Sequence, residues 1–225
     1  MNNTLTIIIP IYNEEDNAEK SINLVLNRPE TAQIIIIDDG STDSTAQILK
    51  QFANNAKIKI ISHETNQGKG AAIRSAIKYI SSPYVIIQDA DLEYSVEDYP
   101  NLIAPLIANS ADVVFGARFL GNNSDALIHQ LGNKFLTGLS NLFTGFKLND
   151  METCYKVFRS DILKSLNLKS NHFEIEPEIV AQLAKIKNLR LLEIEITYHA
   201  RNYSQGKKIG WKDGISAIYN IIKFR

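Results

Sequence analysis

The 225-residue sequence lacks several features that would each have pointed to a different class of protein. It contains one cysteine, Cys154, so no disulfide can form within the chain and nothing calls for an oxidising compartment. Its longest apolar runs, such as residues 34–37, are far shorter than the ~20 residues that cross a bilayer. No apolar leader segment follows Met1. We therefore expect a cytoplasmic protein that does not span a membrane.

Two nucleotide-binding patterns are also missing. The glycine-rich stretch NQGKGAAIRSA, residues 66–76, matches neither the G-x-G-x-x-G dinucleotide pattern nor the G-x-x-x-x-G-K-[ST] phosphate loop. The four histidines do not have the spacing of zinc ligands. These absences argue against a dehydrogenase and against a P-loop ATPase.

Charge is nearly balanced overall but uneven along the chain. The 24 basic and 25 acidic residues give a formal net charge of −1. Residues 199–225 contain six basic residues and one acidic residue, which leaves residues 1–198 at −6. A basic segment of this kind suggests an anionic partner, such as phosphates or a lipid headgroup surface. A solvated helix with ordinary lysines explains the same charges equally well.

The first half of the chain alternates short apolar runs with segments of helical period. The strand-like runs are LTIIIP, QIIIID, KIKIIS, YVIIQ and ADVVFGA, and helical segments separate them. This order predicts an α/β protein with a mostly parallel central sheet flanked by helices. The second half predicts strands at TCYKVF and LRLLEIEITY and helices elsewhere. No repeat or linker is visible, so we expect one domain over residues 1–225.

Acidic residues gather where three of the predicted strands end. Glu14 follows the first strand, Asp38 and Asp39 end the second, and Asp89 and Asp91 follow the fourth. Ligands of parallel α/β sheets bind beyond the carboxyl ends of the strands. A turn that needs Asp and Gly explains DDGS by itself, but it does not explain three acidic strand ends together.

Asp89 and Asp91 are separated only by Ala90. If the segment stays extended, both carboxylates project to the same side, with Cα atoms roughly 6.6 Å apart. This spacing suits a shared divalent cation, and oxygen ligands favour Mg²⁺ or Mn²⁺ over Zn²⁺. Such an ion keeps coordination positions for substrate phosphates. We therefore predict a Mg²⁺ or Mn²⁺ site that binds a diphosphate.

Two further segments have alternative interpretations. Lys69 and neighbouring glycines open a predicted helix, which favours an anion such as a diphosphate, although a tight turn with a solvated lysine would look the same. In the amphipathic segment 131–148, large apolar side chains recur every three or four residues. This stripe either lies in a membrane interface or packs on the sheet.

Several stretches closely resemble the inverting family 2 glycosyltransferases of GT-A fold. They are IPIYNEE, IIIIDDGSTDST, NQGKGAAIRSA, QDADLEYSVEDYP and GARF. Within that family they look most like the dolichyl- and polyprenyl-phosphate sugar synthases. The resemblance continues through NDMETCYKVFR, FEIEPEI and ITYHARNYSQGKKIGWKDG, so it covers nearly the whole chain.

The resemblance implies a nucleotide-sugar site in residues 1–118 and an acceptor site in residues 119–225. The implied nucleotide-sugar residues are Pro10, Tyr12, Glu14, Asp39, Lys69, Asp89 and Ala90. The implied metal ligands are Asp89, Asp91 and Glu93. The residues implied to contact donor or acceptor phosphates are Arg118, Arg201 and Lys207. An arginine fork suits phosphate oxygens.

The implied catalytic residues are Asp91, Arg118 and Asp150. Metal and basic residues would stabilise the departing nucleoside diphosphate while the acceptor attacks the opposite face of the anomeric carbon. A phosphate acceptor is already anionic near pH 7, because its second pKa is about 6, whereas a hydroxyl acceptor needs a carboxylate base. Asp150 is the candidate for that base or for an organiser of the acceptor site. Helix capping is its structural alternative.

The leading functional prediction is transfer of a hexose from a GDP- or UDP-linked sugar to a polyprenyl or dolichyl phosphate. One alternative is a saccharide hydroxyl acceptor in cell-surface polysaccharide synthesis, and another is a non-catalytic nucleotide-sugar-binding subunit. Many relatives carry C-terminal transmembrane helices, and this sequence stops at Arg225. We therefore expect peripheral contact with the inner face of a membrane, or a membrane partner subunit. No nucleic-acid partner is expected.

Overall fold

The computed structural model describes residues 3–118, 127–200 and 211–224, with the helical backbone only for residues 127–130 and 211–217. Seven strands are present in these residues: β1 Leu5–Ile11, β2 Thr31–Asp38, β3 Ile58–Ser62, β4 Tyr84–Ile87, β5 Val113–Ala117, β6 Lys156–Arg159 and β7 Leu191–Glu195. Eight α-helices accompany them in the same residues: α1 Ala18–Leu26, α2 Thr45–Lys50, α3 Lys69–Ile77, α4 Tyr99–Ile107, α5 Leu127–Thr144, α6 Ser160–Ser165, α7 Ile175–Leu183 and α8 Trp211–Phe224.

The described strands form one sheet in the order β3-β2-β1-β4-β6-β5-β7. Neighbouring strands pair in parallel except at β6, which is antiparallel to both β4 and β5. The sheet contains strands from both predicted halves of the chain. Strands β4 and β5 of the predicted donor half pair with β6, and β5 also pairs with β7, while β6 and β7 belong to the predicted acceptor half. The prediction of an α/β fold with a mostly parallel sheet flanked by helices is confirmed.

The core is built on β1 and β2, whose central isoleucines are fully buried. Neither strand alternates apolar and polar residues, because helices cover both faces of a parallel sheet. Each such side chain contributes roughly 1.5–3 kcal/mol when it is removed from water. Apolar burial therefore fixes the register of the strands that lead to the site.

The strand order places a topological switch point between β1 and β4. The chain leaves β1 toward β2 and β3 on one side and returns to β4 on the other. A crevice forms beyond the carboxyl ends of the strands at such a point. Because β6 runs in the opposite direction, its amino end reaches the same edge and brings the segment 149–155 there.

Helix α5 has an unusual distribution of polarity. Its inward face is polar, since Asn133, Thr137 and Ser140 are buried. Large apolar side chains point outward, and Leu131 and Leu142 have exposed fractions of 67% and 77%. The stripe is therefore divided between the two interpretations: Leu139 and Phe146 pack against the core, whereas Leu131, Phe135 and Leu142 are exposed. Helix α8 packs against α5 and α7.

The described helices also bear on the membrane predictions. None of them, over residues 3–118, 127–200 and 211–224, combines the length and the apolar character that a bilayer crossing requires.

Candidate active site

The carboxyl ends of β1, β2, β4 and β5 and the amino end of β6 meet at one edge of the sheet. Pro10 is the second-last residue of β1, and Tyr12 directly follows that strand. Both are partly buried. Arg118 directly follows β5. This edge therefore gathers most of the residues that the sequence nominated, from both halves of the chain.

Two loops at this edge hold each other through side-chain to backbone hydrogen bonds. Asn13 has a φ of 51°, and its Oδ1 accepts from the Thr42 N–H at 2.8 Å. The Asn13 N–H donates to Ser41 Oγ at 3.1 Å, and the Glu14 N–H donates to Thr45 Oγ1 at 2.9 Å. These contacts join the loop after β1 to the loop after β2, so the rim of the site is organised before any ligand binds.

Asp39 is buried and accepts hydrogen bonds from the glycine-rich loop. Its carboxylate accepts the N–H groups of Gln67 at 3.0 Å and Gly68 at 2.7 Å. His63 Nδ1 lies 2.6 Å from Asp39 Oδ1, and His63 Nε2 lies 2.9 Å from Ser75 Oγ. Asp39 therefore positions the loop that leads into α3. Its implied contact with the base or ribose of a donor stays a prediction.

The glycines at the start of α3 permit close packing with the loop at residues 170–172. A Cβ added to Gly70 would lie 2.4 Å from the Ser170 carbonyl oxygen, and one added to Gly68 would lie 2.4 Å from the Asn171 oxygen. The Ala71 N–H donates to that Asn171 oxygen at 3.0 Å. The chain itself therefore occupies this side of the helix start. Of the residues predicted to form an anion site at this helix start, the Lys69 side chain is the part that this packing does not cover.

The segment with the paired aspartates is a turn, not an extended strand. Strand β4 ends at Ile87, and Leu92 has a φ of 64°. The expectation of an extended segment is therefore wrong: Asp91 Oδ1 accepts the Glu93 N–H at 3.1 Å, and this short-range bond competes with strand geometry. Ala90 is buried in the core cluster, while the Asp89 side chain keeps an exposed fraction of 25%.

Lys69 connects the paired aspartates to the second half of the chain. Its Nζ lies 2.9 Å from Asp89 Oδ1 and 3.1 Å from Glu176 Oε1. Lys156 Nζ donates to Glu176 Oε2 and to the Thr153 carbonyl oxygen. Burial opposes the charge of Lys69, but the carboxylate of Asp89, with Glu176 further away, raises the pKa of Lys69 well above its ordinary value. The lysine is therefore a permanent cation beside Asp89.

Arg118 and Asp150 form a two-point ion pair. Arg118 Nε lies 2.7 Å from Asp150 Oδ2, and Nη2 lies 2.8 Å from Oδ1. Asn133 of α5 donates to Asp150 Oδ1 at 2.9 Å, and Asp150 is fully buried. Burial by itself would raise the pKa of Asp150, but the Arg118 charge outweighs burial and lowers it. A carboxylate with this pKa is a weak base, which favours the organising role.

Tyrosines line the space between the two halves. The Tyr198 hydroxyl donates to Glu93 Oε2 at 2.8 Å, and the Tyr198 ring centroid lies 5.3 Å from Arg118 Cζ. The rings of Tyr94 and Tyr198 meet edge to face with centroids 5.3 Å apart, and the Tyr94 hydroxyl accepts the Cys154 N–H at 3.0 Å. These contacts fix Glu93 and Arg118 relative to each other. Burial raises the pKa of Tyr94 well above its ordinary value, so the hydroxyl stays neutral.

Glu152 has a buried carboxylate oxygen that lacks a hydrogen bond within the described part of the chain, as does Glu176. Among the described residues, no donor reaches Glu152 Oε1. Burial, followed by the charge of Glu176, raises the pKa of Glu152 to about 7. Lys156 and Arg118 act in the opposite direction, and Asp150 adds to the rise. This side chain therefore titrates in the neutral range.

The metal prediction can be compared with the donor atoms present. Within the described ranges, no group of three or more His, Cys, Asp and Glu side chains is placed to hold a metal ion. Asp89 and Asp91 supply carboxylate oxygens, whereas the Glu93 carboxylate accepts from Tyr198. The donor chemistry fits Mg²⁺ or Mn²⁺, which need only one or two carboxylates when substrate phosphates complete the shell.

Two predicted residues, Arg201 and Lys207, lie outside the described residues. Conversely, the structure brings residues to the site that sequence reasoning missed: His63, Asn133, Glu152, Lys156, Glu176 and Tyr198. For Glu152, Lys156, Glu176 and Tyr198 the only signal was membership of stretches such as NDMETCYKVFR and FEIEPEI, which carried the resemblance without assigning a role to these positions. His63 and Asn133 lie outside all of those stretches.

The described residues have the GT-A fold, and the sequence places the chain among the glycosyltransferases. A family model described as Glycosyl transferase family 2 matches residues 6–166. The chain belongs to this family and is a glycosyltransferase. The expectation of an enzyme is thereby confirmed, and the alternative of a non-catalytic subunit loses its support.

Individual relatives extend the comparison over the whole chain. An uncharacterized protein of Methanocaldococcus jannaschii is 32% identical over 96% of this chain and 97% of its own length. The dodecaprenyl-phosphate galacturonate synthase of Rhizobium johnstonii is 26% identical over 97% of this chain. The chain spans 64% of the length of that synthase. The resemblance to polyprenyl-phosphate sugar synthases is confirmed.

A solved structure shows the same fold at low identity. Glucosyl-3-phosphoglycerate synthase of Mycobacterium tuberculosis, crystallised with Mn²⁺, uridine diphosphate and phosphoglyceric acid, aligns with a TM-score of 0.73 and 17% identity. The alignment covers 99% of this chain and 77% of the synthase.

Proposed function

We propose that the chain transfers a hexose from a GDP- or UDP-linked sugar to a polyprenyl or dolichyl phosphate, with inversion at the anomeric carbon. The observation that carries this proposal is the meeting of two groups at one sheet edge. The carboxylates of Asp89 and Asp91 lie there with Lys69, and the Arg118–Asp150 pair lies at the end of β5. The similarity to a dodecaprenyl-phosphate galacturonate synthase supports the acceptor class.

The donor diphosphate is bound from the side of β1, β2 and β4. Asp89 and Asp91 hold Mg²⁺ or Mn²⁺, and Glu93 becomes a further ligand if its bond with Tyr198 is released. When bound there, such an ion would supply positive charge that stabilises the departing diphosphate. Lys69 adds a fixed positive charge beside Asp89. Pro10, Tyr12, Glu14 and Asp39 shape the part of the site that receives the base and the ribose.

Arg118 and Asp150 act on the acceptor side. The guanidinium of Arg118 is held by two bonds to Asp150, so its orientation is fixed. A phosphate acceptor is already anionic near pH 7 and is attracted to this cation without needing a strong base. Asp150 orients Arg118 and takes no proton, in agreement with its lowered pKa.

Peripheral contact with a membrane follows from helix α5. Its exposed apolar side chains Leu131, Phe135 and Leu142 surround the exposed Lys134, a combination that suits the headgroup boundary of a bilayer. The opposite face of α5 contacts the acceptor side through Asn133 and Asp150. A polyprenyl chain held in the membrane would therefore present its phosphate near Arg118. The inner face of a membrane is the proposed location.

A saccharide hydroxyl is the second candidate acceptor, and one observation favours it. A hydroxyl must lose its proton during attack, and a base works best when its pKa lies near the working pH. Glu152, with its pKa raised to about 7, meets that condition.

The test is a transfer assay with the purified chain, Mg²⁺ or Mn²⁺, a polyprenyl phosphate in detergent and a panel of labelled UDP- and GDP-sugars. We expect metal-dependent label in the organic phase with one donor. Asp89→Asn and Asp91→Asn should lower this transfer by about 100-fold or more. The matched control is Asp161→Asn, an exposed aspartate on α6 beyond the far end of β6, and it should retain activity.

The outcomes separate the candidates. Label that moves to a soluble saccharide and not to the lipid phosphate would replace the first acceptor with the second, provided that donor hydrolysis is excluded. A chain that binds donor but transfers to neither acceptor class would contradict the proposed reaction.

A further inference from the structure

Four buried or nearly buried charged side chains of alternating sign form a row of ion pairs that ends at Asp89. They are Lys156 of β6, Glu176 of α7, Lys69 at the first position of α3 and Asp89 itself, so four separate segments meet. The Lys156 side chain is fully buried, and the exposed fraction of Glu176 is 3%. Burying charges is costly unless each has a partner, so this arrangement is specific and not a surface accident.

The contacts along this row of ion pairs are not equivalent. Lys69 Nζ donates a hydrogen bond to Asp89 Oδ2 at 3.1 Å and lies 2.9 Å from Oδ1. On its other side, Lys69 Nζ lies 3.1 Å from Glu176 Oε1, but no hydrogen bond to that oxygen forms among the described residues. Glu176 Oε2 is engaged by Lys156. Lys69 is therefore bonded to Asp89 and only faces a Glu176 oxygen with unused accepting capacity.

We propose that Lys69 is an exchangeable counter-cation for the metal site: it neutralises Asp89 when no divalent cation is bound, and it turns to Glu176 Oε1 when one binds. This inference rests on the proposed function, because it takes Asp89 as a metal ligand. An ammonium group and a divalent cation compete for the same carboxylate oxygens. Glu176 keeps the displaced ammonium paired, so the exchange leaves no buried charge alone.

The proposal makes opposite predictions for substitutions of Lys69 and of Glu176. Lys69→Met removes the competing cation and should tighten Mn²⁺ binding by about tenfold, the value of one hydrogen bond to a charged group. Glu176→Gln removes the alternative partner, so Lys69 stays on Asp89 and Mn²⁺ binding should weaken by a similar factor of about tenfold.

A double variant separates exchange from a simple electric field. In a field, the removed positive and negative charges act independently, and the two effects add. If Glu176 acts through Lys69, the variant Lys69→Met/Glu176→Gln should bind Mn²⁺ as tightly as Lys69→Met alone. The effects of residues that share a partner are expected to be non-additive in this way.

The experiment measures Mn²⁺ binding to the purified full chain by the electron paramagnetic resonance signal of free Mn²⁺, with and without UDP or GDP. Circular dichroism checks that each variant folds, and Lys20→Met, an exposed lysine of α1, is the matched control. The Lys69→Met arm does not depend on whether Glu176→Gln folds, because it leaves the Lys156–Glu176 pair intact.

Three results would overturn the exchange. They are unchanged or weaker Mn²⁺ binding in Lys69→Met, unchanged binding in a folded Glu176→Gln, and additive effects in the double variant. Asp89→Asn separates this failure from failure of the proposed function. If that variant binds Mn²⁺ as the wild type does, the metal is not at Asp89 and both proposals fall. If it loses Mn²⁺ while Lys69→Met shows no gain, only the exchange falls.

Discussion

The proposed donor side and the proposed acceptor side of this enzyme are organised by different forces. On the donor side, β1 and β2 present nearly continuous isoleucine surfaces to helices on both faces. On the acceptor side, Arg118–Asp150 and Lys156–Glu176 are buried ion pairs, and Asn133 of α5 contacts the first of them. The first region is stabilised by apolar burial, and the second depends on each buried charge keeping its partner.

This difference determines how each side should respond to mutation. On the donor side, the Asp39 carboxylate is held by two backbone N–H groups, those of Gln67 and Gly68. A side chain that keeps an accepting oxygen at this position can retain part of these bonds. Loss of one partner on the acceptor side leaves a buried charge without its counter-charge, which is among the most expensive defects that a fold can carry.

Asp150→Asn should have the largest effect. Arg118 loses its carboxylate partner in a buried position, so the free energy of unfolding should fall by about 3–5 kcal/mol, and transfer activity should fall with it. The donor-side counterpart, Asp39→Asn, keeps an accepting oxygen and should cost only about 1–2 kcal/mol. Urea unfolding of both variants measures the difference, and equal losses would contradict the comparison.

Gly70→Ala should rank next. The added Cβ would lie 2.4 Å from the Ser170 carbonyl oxygen, a backbone atom that cannot move aside cheaply. We expect a loss of about 2–3 kcal/mol from overpacking where the two sides meet. Gly138→Ala in α5 is the matched control, because nothing lies within 4 Å of its Cβ position. It should stabilise the chain by about 0.5–1 kcal/mol through helix propensity.

Thermal unfolding of Gly70→Ala and Gly138→Ala measures both changes in stability. A Gly70→Ala variant with an unchanged melting temperature would show that the loop at 170–172 can withdraw from α3 without cost.

Glu152→Gln should change stability in a pH-dependent way. The folded pKa of about 7 lies above the unfolded value of 4.5, so the wild type is most stable at low pH and loses stability as pH rises between these values. The glutamine variant has no such loss. At pH 8 it should therefore be more stable than the wild type by on the order of 2 kcal/mol, allowing for partial exposure of the residue.

At pH 4 both forms carry a neutral side chain, so the two proteins should unfold at nearly the same denaturant concentration. A stability difference that is constant from pH 4 to pH 8 would contradict the raised pKa.

The smallest stability effect is expected on the outer face of α5. Phe135→Ser and Leu142→Ser change exposed side chains, so unfolding should shift by less than about 0.5 kcal/mol. Binding to vesicles of anionic phospholipid, measured by co-sedimentation, should weaken clearly. Leu24→Ser, on an exposed position of α1, is the matched control and should bind vesicles like the wild type. Equal binding by all variants would exclude α5 as the contact surface.

The two sides also differ in how far the sequence alone could predict them. The strand runs of the donor side were recognisable because long apolar runs between turns have few alternatives in an α/β fold. The paired aspartates were found for the same reason, since they directly follow such a run. Their local geometry was predicted wrongly, because the bond from Asp91 to the Glu93 N–H turns the chain there.

Partners on the acceptor side were not predictable from spacing. Glu176 lies 107 positions from Lys69 in the sequence, and their Nζ and Oε1 atoms nevertheless face each other at 3.1 Å. The apolar stripe of α5 was equally consistent with packing on the sheet and with outward exposure, because periodicity defines a face but not its direction.

The sequence by itself determined the α/β class, the positions of the first strands along the chain, the family and the acidic edge of the sheet. These follow from apolar periodicity and short motifs, which act over a few neighbouring residues. Only the tertiary structure decided that Lys69 lies between Asp89 and Glu176, that Asp150 is bound by Arg118, and that part of the apolar stripe of α5 is exposed. Charges and faces find their partners only when distant segments pack together, and that choice depends on the whole fold.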